Sequence, residues 1–267
     1  MKTTLGFIGV GNMARSIIKA IISSDVLCNK VKIVCYDKID ISEYFKDIDN
    51  VVVCKDAQQV IDISTYVFLC VKPQNLDELL TSVRITYDKV IVSICAGISA
   101  EYIKQRSGAS SRVILVMPNT PLMLGEGASA LAKCDGVSDE EFDFILSVFS
   151  ACGVAREISE DKMKEIIAVN GSSPAFIYLF AKAFSDYAKS VGIEEKTAID
   201  LFSQSLIGSA KMITDSGYTI DELIKMVSSP GGTTLAGLSK LYDGNFLGVV
   251  DECCKACTNR AYELSKQ

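Results

Sequence analysis

Histidine does not occur among the 267 residues, so the chain holds no Ser-His-Asp triad, no Cys-His pair, no imidazole acid and no histidine-ligated metal. Dehydrogenases of the lactate or malate type, which need a histidine acid, are excluded, as are most metalloenzymes. Chemistry here has to come from a cofactor, a hydroxyl, a carboxylate, a lysine or water. A basic excess is also lacking: 27 Lys and Arg stand against 33 Asp and Glu, a formal charge of −6. That balance argues against nucleic acid or an anionic membrane as partner. No apolar run approaches the length of a membrane span, and residues 1–24 lack a charged start followed by a cleavable apolar core. A cytoplasmic protein is expected.

Ten cysteines are present, but they are scattered through apparent strands and helices, which reads as reduced, buried, small apolar side chains. Only Cys253, Cys254 and Cys257 cluster. No paired Cys-x-x-Cys lies elsewhere to complete a zinc site, so no metal is expected. Prolines number five. Pro73, Pro118, Pro121 and Pro230 fall where loops are expected, whereas Pro174, beside Gly171-Ser172-Ser173, should break or kink a helical stretch.

With 49% apolar residues the chain can bury a sizeable core in one large or two modest domains. Residues 5–9, 31–36, 51–54, 67–71, 90–95 and 113–117 are short, apolar and largely β-branched, as expected of strands covered on both faces. Helical patterns lie between them, for example at 14–22, 76–83 and 100–105, and this alternation predicts a doubly wound, mostly parallel sheet. Further strands are expected at 128–132 and 154–158 around a helix at 139–149. Beyond residue 160 the pattern turns wholly helical, at 163–169, 175–191, 196–214, 220–227, 234–242 and 246–264. The expected division is therefore 1–160, an α/β dinucleotide-binding domain, and 161–267, an all-α domain.

The dinucleotide assignment rests on Ile8-Gly9-Val10-Gly11-Asn12-Met13-Ala14. Its Gly9-x-Gly11-x-x-Ala14 pattern follows a strand and opens a helix, giving a tight turn, a backbone that a pyrophosphate can approach, and close helix–strand packing. Asp37 stands at the end of the second strand, where a carboxylate binds the adenosine ribose hydroxyls and favours NAD(H); Lys38 beside it can offset that preference. A solvated strand-end Asp is the other reading. Val71-Lys72-Pro73-Gln74 follows the fourth strand and Cys95-Ala96-Gly97-Ile98 the fifth, at the carboxyl ends where open α/β sheets bind ligands. Lys72 suits a phosphate, ribose or amide, and Ala96-Gly97 lets a nicotinamide lie close to backbone. Met117-Pro118-Asn119-Thr120-Pro121 follows the sixth strand, with the Asn119 amide as donor and acceptor. Finally, Ser228-Ser229-Pro230-Gly231-Gly232-Thr233-Thr234 precedes the helical spacing of Leu235, Leu238 and Leu241. It outlines a carboxylate or phosphate cradle at a helix start, or else an ordinary loop with a Thr N-cap.

Taken in order, the segments at 6–14, 71–74, 117–121, Gly125-Glu126-Gly127 and 229–234 resemble the signatures of pyrroline-5-carboxylate reductases. The resemblance spans residues 5 to about 242, and the Pro-Gly-Gly-Thr-Thr and Met-Pro-Asn-Thr-Pro segments are its most specific parts. It implies a Rossmann N-terminal domain and a helical C-terminal domain that interlocks with a second copy, with decamers in some members. It also implies an oxidoreductase of proline biosynthesis that uses NADPH or NADH. Family members commonly prefer NADPH, against the simple reading of Asp37. Two departures stand out: Gly171-Ser172-Ser173-Pro174 replaces the usual Gly-Ser-Gly-Pro, and Asp56-Ala57 stands where an asparagine often contacts ribose.

On that reading Ile8, Gly9, Val10, Gly11, Asn12, Met13, Asp37, Cys70, Val71, Lys72, Pro73, Ala96 and Gly97 bind the dinucleotide. Gly231, Gly232, Thr233, Thr234 and Asn119 bind a cyclic imine carboxylate, its carboxylate on the N–H groups of Gly231, Gly232 and Thr233. The Thr234 hydroxyl bonds the ring nitrogen and is the catalytic candidate. Two other readings stay open: a related imine or β-hydroxyacid reductase, for which Lys182 or Lys189 would be the catalytic lysine, and a non-catalytic dinucleotide sensor.

Overall fold

The computed structural model describes residues 2–107 and 112–265. Eight strands form one sheet: β1 (Thr3–Ile8), β2 (Val31–Tyr36), β3 (Val51–Val53), β4 (Tyr66–Leu69), β5 (Val90–Ser93), β6 (Arg112–Met117), β7 (Gly127–Lys133) and β8 (Gly153–Glu157). Their order is β3-β2-β1-β4-β5-β6-β7-β8, with every pairing parallel except β6 with β7. The expected doubly wound, mostly parallel sheet is therefore present, and its winding reverses between β1 and β4.

Six helices accompany the sheet: α1 (Asn12–Ser23), α2 (Ser42–Phe45), α3 (Ala57–Ile63), α4 (Leu76–Ser82), α5 (Ala100–Ser107) and α6 (Asp139–Ser150). Alternate strand residues serve opposite faces. Leu5, Phe7, Ile33, Phe68, Val92 and Val116 pack with α1 and α6 through Ile17, Ile21, Ile145 and Phe149. Ile8, Val34, Leu69, Ile91 and Leu115 pack with α3, α4 and α5 through Val60, Leu80 and Ile103. Burial on both faces is why these strands read as continuous apolar runs rather than alternating ones. Phe7 and Phe68 stack at 4.4 Å between ring centroids in the first of these layers. Helix α6 opens with a reciprocal capping box of Ser138 and Glu141, and Glu141 also pairs with Arg112 at the foot of β6.

The helical half contains α7 (Ser173–Ser190), α8 (Glu195–Asp215), α9 (Ile220–Met226), α10 (Thr233–Asp243) and α11 (Phe246–Leu264). The helix expected at 163–169 is replaced by a 3-10 turn at Glu160–Lys162 and a π-helical turn at Ile167–Gly171. Ser172 N–H donates to Ile167 C=O at 2.8 Å to close that turn, and Asn170 projects from it to donate its amide to Met117 C=O and Ala128 C=O at 2.8 and 3.1 Å. Pro174 sits in the first turn of α7, where its missing N–H costs no helical bond, so the break falls just before it.

The chain separates into two compact units, Met1–Ser172 with Ala256–Gln267, and Ser173–Lys255. The 160/161 boundary drawn from the sequence falls inside the first. In the second, Phe184 stacks on Phe202 at 4.3 Å and Phe180 lies 6.2 Å from Phe246. Only Pro174 and Ala188 of that unit are buried, while Leu179, Tyr187, Leu201 and Leu247 are about two-thirds exposed. The apolar stripes seen in the sequence face outward.

Candidate active site

Chain reversal at the carboxyl end of β1 depends on Gly9. Its φ is +87°, and a Cβ there would stand 2.9 Å from the Cys70 carbonyl carbon and from Val71 Cγ1, so both conformation and space demand glycine. Gly9 N–H donates to Tyr36 C=O at 2.9 Å. The next residue is held through both of its backbone polar groups. Val10 N–H donates to Asp37 Oδ2 at 2.5 Å, and Val10 C=O accepts from Arg15 Nε at 2.9 Å while the Arg15 guanidinium lies 4.4 Å over the Tyr44 ring. Asp37 Oδ1 accepts a second N–H, from Ile39 at 3.2 Å. The Asp37 carboxylate is thus fastened to the glycine loop and is not merely solvated at the strand end.

Helix α1 begins at Asn12 with Gly11 as N-cap and no side chain bonding its first N–H groups. Nothing lies within 4 Å of where a Gly11 Cβ would be. Open space therefore meets the unpaired donors and positive end of a helix, the arrangement that receives a pyrophosphate. The residues fit a dinucleotide on that observation.

Two cavities flank this loop. One, of about 590 Å³, is lined by Ile8, Gly9, Gly11, Asp37, Cys70, Val71 and Lys72, together with Tyr36, Lys38, Asp56, Gln58 and Glu78. The other, of about 400 Å³, is lined by Met13, Cys70, Val71, Lys72, Pro73, Ala96 and Asn119, with Met117, Thr120, Ile167 and Ser172. Residues 70–72 are common to both. Gly97 belongs to a third cavity, of about 270 Å³, with Cys95, Lys164 and Tyr262. Val10 lines none of these, because its side chain is buried in the core and only its peptide serves the site. Asn12 also lines none, and contributes as the first residue of α1.

Burial raises the Cys70 thiol well above its ordinary value and pushes Cys95 up to about 11. Cys95 Sγ donates to Val71 C=O at 3.3 Å. Both sulfurs are protonated walls rather than nucleophiles. Asn119 is buried, and its Oδ1 accepts Ala128 N–H at 2.8 Å, so the acceptor half of its amide braces the turn into β7. The exposed Lys72 makes no ion pair among the described residues.

In the second unit the loop between α9 and α10 has a geometry of its own. Gly231 takes φ +70°. Gly232 N–H donates to Ser229 C=O at 3.0 Å, and a Cβ on Gly232 would meet Ser229 Oγ at 2.5 Å. This corrects the expected donor set: the Gly232 N–H closes a turn and does not point to a ligand. Gly232, not a threonine, is the N-cap, and the first helical bond runs from Ala236 N–H to Gly232 C=O at 3.3 Å. Thr233, Thr234 and Leu235 are left as the first-turn N–H donors. Thr233 is exposed and Thr234 half-buried, and neither hydroxyl is engaged among the described residues. On α7, Lys182 is exposed and paired with Asp186 at 2.5 Å, a surface i,i+4 bridge that gives it no catalytic setting.

Sequence reasoning missed Glu78, Gln58 and Tyr262, whose places depend on contacts across the fold. Pairings such as Lys38 Nζ with Glu78 Oε1 at 2.8 Å, 40 positions apart, leave no local pattern.

A reversal-point loop on an open helix N-terminus, set in a mostly parallel sheet and joined to a helical unit, defines a dinucleotide-dependent oxidoreductase. A family model described as pyrroline-5-carboxylate reductase dimerisation matches residues 160–264, and one described as NADP oxidoreductase coenzyme F420-dependent matches 4–97. A pyrroline-5-carboxylate reductase of Arabidopsis thaliana is 32% identical over 98% of this chain and 95% of its own length. That of Escherichia coli (strain K12) is 30% identical over 100% of both chains. Among solved structures, the pyrroline-5-carboxylate reductase of Coxiella burnetii superposes with a TM-score of 0.89 at 30% identity, covering 100% of each chain. The chain belongs to the pyrroline-5-carboxylate reductase family.

Proposed function

We propose that the chain reduces 1-pyrroline-5-carboxylate to L-proline with NADH or NADPH, the last step of proline biosynthesis. The single observation that carries the dinucleotide half of this reading is the open, uncapped N-terminus of α1 behind Gly9 and Gly11. Family membership supplies the substrate.

When bound, the reduced nicotinamide supplies a hydride to the imine carbon. The protein has to orient the imine, hold its carboxylate and see a proton onto the ring nitrogen. First-turn N–H groups of Thr233 and Thr234, with that of Gly231, hold the carboxylate at the positive end of α10. The Thr234 hydroxyl bonds the nitrogen. Since the chain has no histidine, the proton arrives with an already protonated imine, or from water or Thr234. The carbon then gains the hydride and the nitrogen the proton, leaving a secondary amine. Residues 1–160 serve the dinucleotide on this reading, and 161–267 serve the substrate and dimerisation.

Self-association as a homodimer, with decamers a further level of assembly, is supported by the bare apolar surface of the second unit and by the dimerisation family model. No described helix is long and apolar enough to cross a membrane, and the acidic charge suits a cytoplasmic protein. Steady-state assays with 1-pyrroline-5-carboxylate and each reduced dinucleotide test the function, with L-proline measured as product. Dinucleotide binding without turnover of any cyclic imine points to a sensor and overturns it, as does turnover confined to hydroxyacids.

A further inference from the structure

The first cavity discriminates between the two reduced dinucleotides, an inference that rests on the reading above that a dinucleotide occupies it. At the β2 end of that cavity, the Asp37 carboxylate is half-buried and each of its oxygens accepts a backbone N–H, from Val10 at 2.5 Å and Ile39 at 3.2 Å. It cannot swing aside without releasing the glycine loop. Two more carboxylates, Asp56 and Glu78, line the same cavity. Asp56 is fixed as well, accepting Gln59 N–H at 2.8 Å as the cap of α3. Against these three stand Lys38 and Lys72, and among the described residues no arginine lines the cavity. The cation nearest Asp37 in sequence is already taken: Lys38 Nζ lies 2.8 Å from Glu78 Oε1.

A ribose 2′-hydroxyl is a donor and finds an acceptor in a fixed carboxylate; a 2′-phosphate brings two negative charges to the same place. Accepting it calls for an arginine fork or a surplus of free cations, whereas three carboxylates here face two lysines, of which Lys38 is paired with Glu78 and only Lys72 is unpaired among the described residues. We propose that this chain prefers NADH to NADPH and that Asp37 sets the preference, with Glu78 reinforcing it by holding Lys38.

Direct titration tests this apart from catalysis. The chain contains no tryptophan, so the emission of the reduced nicotinamide reports binding without protein background, and no imine is added. At low salt, wild type is expected to bind NADH about tenfold or more tighter than NADPH. Competition by ADP-ribose against its 2′-phosphorylated counterpart should reproduce that ratio, which locates the discrimination at the ribose. Asp37→Ser should shrink the ratio by about tenfold; because it also loosens the Val10 brace, both affinities fall and the ratio is the readout. Glu78→Gln leaves that brace intact and frees Lys38, and should shift the NADH-to-NADPH affinity ratio several-fold toward NADPH. Equal binding by wild type, tighter NADPH, or an unchanged ratio in both variants overturns the preference. Failure to bind either dinucleotide overturns the cavity assignment itself.

Discussion

The phenol of Tyr262 donates to Glu165 Oε1 at 2.7 Å, joining residues 97 positions apart and fastening the last turns of α11 to the segment before the π-turn. Lys164 Nζ lies 4.7 Å over the same ring. On the same turn of helix, Ala261 C=O and Leu264 Cβ come within 3.6 and 3.7 Å of where a Cβ on Gly97 would stand. The end of α11 therefore closes the cavity at the loop after β5. The hydrogen bond holds the Glu165 carboxyl below its ordinary 4.5 and the Tyr262 phenol above its ordinary 10.0. A lowered acid stabilises fully above its unfolded value and loses that as pH falls through the folded one. A raised phenol stabilises below its unfolded value and loses that as pH rises. Tyr262→Phe should thus lower Tm by a small amount that stays level between about pH 5 and pH 9 and shrinks on either side. Thermal melts across pH check it; a difference that is independent of pH would show that the hydroxyl contributes only packing.

Thr234→Ala is expected to cut kcat/KM for 1-pyrroline-5-carboxylate by about a hundredfold, the range for losing one positioned proton-handling group. Its residue lies in the helical unit, so the dissociation constant of the dinucleotide alone should stay within about twofold. Thr234→Ser keeps the hydroxyl and should recover much of the rate. Full activity in the alanine variant removes Thr234 from the reaction.

Gly9→Ala forces φ +87° on a residue with a Cβ and drives that Cβ to 2.9 Å from the Cys70 carbonyl carbon. Strain of this kind costs on the order of 1–3 kcal/mol, and relief requires moving the loop that the dinucleotide meets. Urea denaturation should show that loss, and fluorescence titration should show weakened binding of both NADH and NADPH. A variant of unchanged stability and affinity would mean that the turn relaxes freely.

The contrast between Gly9 and Gly232 shows which parts of this site were legible in sequence. Gly9 follows an apolar strand run and precedes a helix with an apolar face, so its turn is dictated by neighbours within ten residues. Gly232 also sits at a helix start, but its N–H is consumed by Ser229 in a turn that Pro-Gly-Gly composition alone does not fix. The strands were legible because burial on both faces leaves only apolar residues. Tyr262 with Glu165, Lys38 with Glu78, and Asp37 with Val10 are separated by 97, 40 and 27 positions. Such pairs are products of the fold and have no periodicity to betray them.

Cysteine reactivity follows burial. The thiols of Cys35, Cys134 and Cys152 are each pushed up to about 12, chiefly by burial. At pH near 8 only about one in ten thousand would be thiolate, the reactive form. Native protein exposed to iodoacetamide should therefore spare these three and label the partly exposed Cys28, while urea should make all four react. Peptide mass analysis reads the outcome, and rapid native labelling of Cys35 would contradict its burial.

The helical unit makes the strongest demand on a partner. Between Ser173 and Lys255 only Pro174 and Ala188 are buried, a surface that no isolated soluble unit of that length sustains. Leu179 on α7 is 69% exposed and Leu201 on α8 is 67% exposed. Each such side chain contributes about 1.5–3 kcal/mol when covered. On the proposed self-association, covering several is expected to outweigh the entropy of association and to couple folding of this unit to assembly. Sedimentation should find at least twice the 28.9 kDa chain mass, with a Tm that rises with protein concentration. Leu179→Glu places a charge where an apolar partner is required, and should shift the species toward monomer and lower Tm without altering the sheet that holds the glycine loop. A wild-type monomer at micromolar concentration, melting cooperatively at a Tm independent of concentration, would mean that this apolar surface is stable in water and needs no second copy.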